Sequence, residues 1–237
     1  MAPKRIIAIS DLHVGGNYKR QLGVPSMLGE PHKLTTFLQQ LATYARTGRG
    51  TAEQIELVIH GDFIDFLAEP TNGDALLDGQ ADHAAGYDAW TPSEEGAMQK
   101  LDNVVRSYGY GIVPEEQDLF RALAACIQAV HHTTILLGNH DVELAYPRLR
   151  QRLLELFQAD STKCSFGIHN EPFRIGELLI EHGDRYDPWN MIDHAGLRYV
   201  ACTAARGEKL QALYQPCLGS KLVCDVINPI KETYHFV

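Results

Sequence analysis

Lys4-Arg5-Ile6-Ile7-Ala8-Ile9-Ser10-Asp11-Leu12-His13 is a short apolar, β-branched run that stops at an aspartate and places a histidine two residues further on. A run of this kind reads as a strand buried on both faces. The layout recurs twice: Ile55 to His60 is a second such strand, halted by Gly61-Asp62, and Thr133 to Leu137 is a third, halted by Gly138-Asn139. Helical patterns separate them. Leu34, Phe37, Leu38, Leu41 and Ala42 follow the i, i+3, i+4, i+7, i+8 spacing, ended by Gly48 to Gly50. Thr91-Pro92-Ser93-Glu94 predicts a helix start with Thr91 as cap. A helix from near Pro114 carries Phe120, Leu123, Ala124, Ile127 and Val130 on one face, and Pro147 opens another with Leu149, Leu153, Leu156 and Phe157. Phe173 to Ile175 and Leu178 to Glu181 flank Gly176-Glu177 as a hairpin running into His182, and Glu208 to Tyr214 is a further expected helix. Strand–loop–helix alternation implies an α/β fold with a largely parallel sheet covered by helices. Ligands of such sheets bind beyond the carboxyl ends of the strands.

The residues at those ends are Asp11 and His13, then Asp62 and Asp65, then Asn139, His140 and Asp141, then His182 and Asp184. Any one strand ending in Asp is ordinarily a turn or a cap. Four strand ends in succession bring carboxylate, carboxamide and imidazole to one sheet edge. That donor set, without thiolate, suits Mn, Fe, Zn or similar divalent ions.

In order and spacing, these blocks resemble the calcineurin-like metallophosphoesterase superfamily, whose pattern is Asp-x-His, Gly-Asp-x-x-Asp, Gly-Asn-His-Asp/Glu, a His, and finally Gly-His-x-His. The His182-Gly183-Asp184 block, with Tyr186, Asp187 and Asn190 behind it, is similar to the bacterial UDP-diacylglucosamine hydrolase branch. The resemblance implies two packed mixed β-sheets flanked by helices. It implies two divalent metal ions, Mn first, with Fe, Zn or a mixed pair as alternatives. Asp11 and His13 would hold the first ion, Asn139 and His182 the second, and Asp62 would bridge them. His140 would be the general acid or charge stabiliser, oriented by Asp141. Asp65 would hold a ligand or tighten the loop, and Asp184, Arg185, Tyr186 and Asn190 would stand behind the site or touch substrate. The implied activity is hydrolysis of a phosphomonoester, phosphodiester or pyrophosphate by a hydroxide activated between the two ions. The implied partner is a phosphorylated small molecule. The alternatives are a nuclease and a non-catalytic scaffold of the same fold; scaffolds tend to lose ligands or the Asn-His pair, both retained here. No Gly-His-x-His occurs in residues 1–237. The expectation is therefore a single metallophosphoesterase domain over 1–237, truncated at its C-terminus, with weak metal binding as it stands.

Composition bounds the remaining classes. The net charge is −9, and Arg49 to Lys100 encloses eleven acidic residues with no Lys or Arg between. Phosphate backbones draw most of their affinity from Lys and Arg, so this stretch is a poor nucleic-acid surface. Residues 66–96 within it read as an acidic, loop-rich insertion. Five scattered cysteines without a Cys-x-x-Cys pair point to free thiols in a reducing cytoplasm. No apolar run approaches the ~18 residues of a membrane span, and nothing in the sequence resembles a signal peptide. Trp90 and Trp189 are expected to be packing residues.

Overall fold

The computed structural model describes residues 4–16, 27–47, 54–70, 86–108, 118–168, 172–208 and 214–233. Strands β1 (Lys4–Ile9), β2 (Gln54–His60), β3 (His132–Leu136) and β4 (Cys164–Gly167) form one sheet in the order β1-β2-β3-β4, parallel throughout. Helices α1 (Pro31–Thr47), α2 (Glu94–Ser107), α3 (Leu119–Ala129) and α4 (Pro147–Leu156) lie in the crossovers. Each crossover moves one strand in the same direction, and crossovers of one hand then leave their helices on one face.

The pleat divides the sheet. Ile55, Leu57, Ile59, Ile135 and Leu137 enter a large core with Leu38, Leu101, Phe120, Ile127 and Leu153 of the helices. Val58 and Leu136, on the opposite face, pack with Ile180, Ile6, Phe173 and Ile175. Ile180, Phe173 and Ile175 belong to the fold's other sheet, the antiparallel hairpin of β5 (Phe173–Ile175) and β6 (Leu178–Ile180). The fold is thus α/β, with helices on one side of the parallel sheet and the hairpin on the other. Of the two mixed sheets expected, the described residues form one purely parallel and one purely antiparallel sheet.

β4 was not anticipated. It has four residues, only Cys164 buried, at the sheet's edge, so it carries no apolar run. The cap of α2 also differs. Ser93, not Thr91, accepts from the Gly96 N–H, while Thr91 is buried with its N–H on Glu143 Oε1. α3 begins at Leu119, capped by Asp118; Pro114 lies outside the described residues. Of the helix expected over 208–214, residues 209–213 lie outside them, and Glu208 and Tyr214 are non-helical. Unforeseen helices follow the hairpin: α5 (His194–Ala205), then α6 (Leu218–Leu222), a π-helical turn (Val223–Ile227) and α7 (Asn228–Thr233) in direct succession.

The acidic stretch is less of a surface than its composition implies, because Glu56, Asp62, Asp65 and Glu69 are buried. Of the insertion, residues 66–70 are buried, Glu94 to Gly96 open α2, and 71–85 lie outside the described residues. Trp90 stacks on Tyr146 at 5.3 Å, but Trp189 is 56% exposed, contrary to its expected packing role. Cys126, Cys164, Cys217 and Cys224 are buried free thiols and Cys202 is exposed. No described helix is long and apolar enough to cross a membrane.

Candidate metal centre

Registers Ile9↔Ile59 and His60↔Leu136 align the carboxyl ends of β1, β2 and β3, so the three loops beyond them must run together. They are laced by backbone bonds: the Asp11 N–H donates to Gly61 O at 3.2 Å, His13 N–H to Asp62 O at 2.9 Å, and Phe66 N–H to His140 O at 3.2 Å. Within this lacing Asp11, His13 and Asp62 take positive φ of 53°, 45° and 50°. Left-handed backbone at a non-glycine residue costs roughly 1–3 kcal/mol and persists where surrounding bonds over-determine it. Three such residues in neighbouring loops, all expected ligands, concentrate that cost at one place.

Two glycines make room. A Cβ at Gly138 would fall 2.2 Å from Asp62 Oδ1, and one at Gly61 2.2 Å from His182 Nδ1. Any side chain there would fill the space that Asp62 and His182 occupy, which explains why glycine precedes the site residue in both blocks.

Asp62 is 4% exposed. Its Oδ1 accepts from the His140 backbone N–H at 2.9 Å. Its Oδ2 faces two imidazoles, His182 Nε2 at 3.4 Å and His13 Nε2 at 3.7 Å. The second nitrogen of each ring has its own partner. His182 Nδ1 lies 3.1 Å from His60 O, and since a carbonyl only accepts, Nδ1 carries the proton. His13 Nδ1 and His140 Nδ1 each lie 3.1 Å from Asp65, one on each carboxylate oxygen. Burial alone would raise the Asp65 pKa, but the two imidazoles outweigh it and hold the carboxyl well below its usual range. Asp65 is therefore an ionised acceptor, and both Nδ1 atoms are donors. All three rings thus have Nδ1 engaged and Nε2 left for a ligand, the arrangement that orients metal-binding histidines.

The ligand atoms fall into two groups, His13 with Asp62 and His140, and Asp11 with Asp62 and His182, each within 4.8 Å of one another. Asp62 is common to both. Asn139 Oδ1 lies 3.2 Å from His182 Nε2, beside the second group. Asp11 thus falls in the group with His182, whereas the resemblance pairs it with His13. The bond to Asp65 draws the His13 ring towards His140, with the rings edge-on at 4.6 Å, while Asp11 is tied to Gly61, against which His182 rests.

A correction concerns Asp141. Its carboxylate does not orient the His140 ring. It is wholly buried and accepts from Gly138 N–H at 2.6 Å and Phe63 N–H at 2.7 Å, locking the β2 and β3 loops together. Asp65 is the ring's partner, 75 residues away in the chain. Further out, Asp184 is buried and begins a 3-10 turn (Asp184–Tyr186). Tyr186 is 73% exposed with its OH on Glu181, and Arg185 reaches the same carboxylate at 3.7 Å. Asn190 turns to Asp187 and lies against Gly219.

Buried carboxylate, convergent imidazoles and a cradle that a Cβ would fill together fit divalent metal. Without metal the imidazoles should be protonated. Burial works against their charge, but Asp65, Asp62 and Asp141 on His140, and Asp62 and Asp141 on His182, hold each at about 9; His13 is raised by Asp65 and Asp62 against the same opposition. Histidines of the unfolded chain titrate near ~6.5. The folded state binds more protons between those values, so its stability is full below about 6.5 and declines as pH rises towards 9. The unfolding midpoint of chelator-treated protein should fall across that window. Bound metal requires neutral imidazoles and should flatten the decline. Equal slopes with and without metal would contradict His13 and His182 as ligands.

Comparison of the chain with protein-family models, curated proteins and solved structures finds no match, so function rests on the residues themselves.

Proposed function

We propose that the chain is a metal-dependent phosphoester hydrolase of the calcineurin-like type, acting on a phosphorylated small molecule. The observation that carries the reading is Asp62 Oδ2 between His13 Nε2 and His182 Nε2, at 3.7 and 3.4 Å. A buried carboxylate between two imidazole sets is what two adjacent cations need, since it supplies charge to both. Asp62 would be shared, with His13 on one side and Asp11, Asn139 and His182 on the other. Two divalent ions, when bound, would supply Lewis acidity towards a phosphoryl group and a lowered water pKa. The same reading takes the β5–β6 hairpin as part of the second sheet of the metallophosphoesterase sandwich.

The chain's own contributions are positional and protonic. Asp65 fixes the tautomer of His13 and, by accepting from Nδ1–H, stabilises the His140 ring as an imidazolium, whose Nε2–H can serve as the proton donor for a leaving oxygen. Asp141 keeps the loop bearing Asn139 and His140 in register with the loop bearing Asp62. Tyr186 and Arg185, at the exposed rim beside His182, are the residues offered to the rest of the substrate.

Incubated with Mn, the protein should turn over aryl phosphate monoesters or diesters, and a chelator should stop it. Absence of turnover by metal-loaded protein across monoesters, diesters and pyrophosphates would overturn the proposal.

A further inference from the structure

The helical run from Leu218 to Thr233 has two unlike faces. Leu218, Leu222, Val226 and Ile230 are 57, 44, 42 and 38% exposed, whereas Ser220, Cys224 and Asn228, also four apart, are buried. Buried polar side chains must find partners, and these find backbone carbonyls of the site loops. Asn228 Nδ2 donates to Leu67 O at 2.7 Å, Cys224 Sγ approaches the same oxygen at 3.9 Å, and Ser220 Oγ donates to Asn139 O at 3.4 Å.

Leu67 is the middle residue of the 3-10 turn Phe66–Ala68, which is capped by Asp65: the Ala68 N–H donates to Asp65 Oδ1 at 3.1 Å. That carboxylate oxygen also takes His140 Nδ1, and its companion takes His13 Nδ1. A bond on Leu67 O therefore fixes the turn, the turn fixes Asp65, and Asp65 aims two imidazoles. The π-helical turn Val223–Ile227 serves this geometry. In an α-helix each four-residue step drifts by ~40° around the axis, so three such residues would fan out. The wider π turn takes up the drift and keeps Cys224 and Asn228 on one carbonyl.

We infer that Asn228 and Ser220 are positioning residues for the metal centre, with the C-terminal helix acting as a clamp that sets Asp65 from one side and Asn139 from the other. The inference rests on the metal-centre reading above. Loss of a side chain that orients a metal ligand typically weakens metal binding ~10–100-fold. Asn228→Asp preserves shape but cannot donate to Leu67 O, so it should bind Mn ~10-fold more weakly in equilibrium dialysis and alter the visible spectrum of bound Co. Ser220→Ala, a milder change, should shift affinity in the same direction. Ile230→Ala, on the exposed face of the same helix, should leave both readouts unchanged. Affinity and spectrum of Asn228→Asp and Ser220→Ala indistinguishable from the parent overturn the clamp. So does an Ile230→Ala defect as large as theirs, because the effect would then be general loosening of the helix. A parent protein that binds neither Mn nor Co overturns the metal reading itself, and the clamp with it.

Discussion

Asp62→Asn should empty both metal positions, lowering affinity by more than about 100-fold, beyond the usual effect of an outer-shell change, whereas His13→Ala should leave one ion per chain. The amide matches the carboxylate in shape, so its oxygen can keep the bond from the His140 N–H. The other position changes sign. Where Asp62 Oδ2 now faces His13 Nε2 and His182 Nε2, an NH2 group would point its hydrogens at both imidazoles and at any cation between them. Two dications ~3.5–4 Å apart repel strongly at the effective dielectric of a partly buried site, and the bridging charge is what offsets that repulsion. His13 touches only one of the two ligand groups, so its loss should be confined to that side. Metal analysis after dialysis measures both variants. Equal loss from the two would argue against bridging.

His140→Ala should lower turnover by ~10²–10⁴-fold, the range of a lost general acid, with metal content near the parent's. The bond from residue 140 to Asp62 Oδ1 comes from the backbone and survives the change. What is lost is a ring held by Asp65 against the His13 ring. If that ring donates a proton to the leaving oxygen, an activated aryl ester, whose leaving group needs none, should suffer much less than an alkyl ester. Equal losses on both, with metal retained, would make His140 a stabiliser of phosphoryl charge. Loss of metal together with activity would make it a ligand, as its membership of the first group allows.

The strands that carry the site were legible because both faces of the sheet are covered, which writes them as continuous apolar runs with polar residues only at their ends. β4 was not legible, since a four-residue edge strand with one buried side chain leaves no pattern. Among site residues, those announced by position beyond a strand do converge: Asp11, His13, Asp62, Asn139, His140 and His182. Partners that depend on approach across the chain were harder to read: Asp65 was expected to hold a ligand or tighten the loop, and it does both, but which rings it holds was not legible. Asp141 follows His140 in sequence, yet its side chain turns to the Gly138 and Phe63 amides. Asp65 reaches its two imidazoles over 52 and 75 residues, and no local spacing encodes that. The buried stripe of Ser220, Cys224 and Asn228 was hidden because a polar face that satisfies backbone carbonyls looks, in sequence, like a solvated one. α5 was recoverable: Leu197, Val200, Ala201 and Ala204 follow helical spacing behind the Asp193 cap.

Electron paramagnetic resonance of the Mn-loaded protein tests the shared carboxylate most directly, because exchange between two Mn ions requires a common ligand at short separation. The arrangement around Asp62 predicts a multiline signal from a coupled pair, lost in Asp62→Asn. A spectrum of isolated, uncoupled Mn at full occupancy would contradict it.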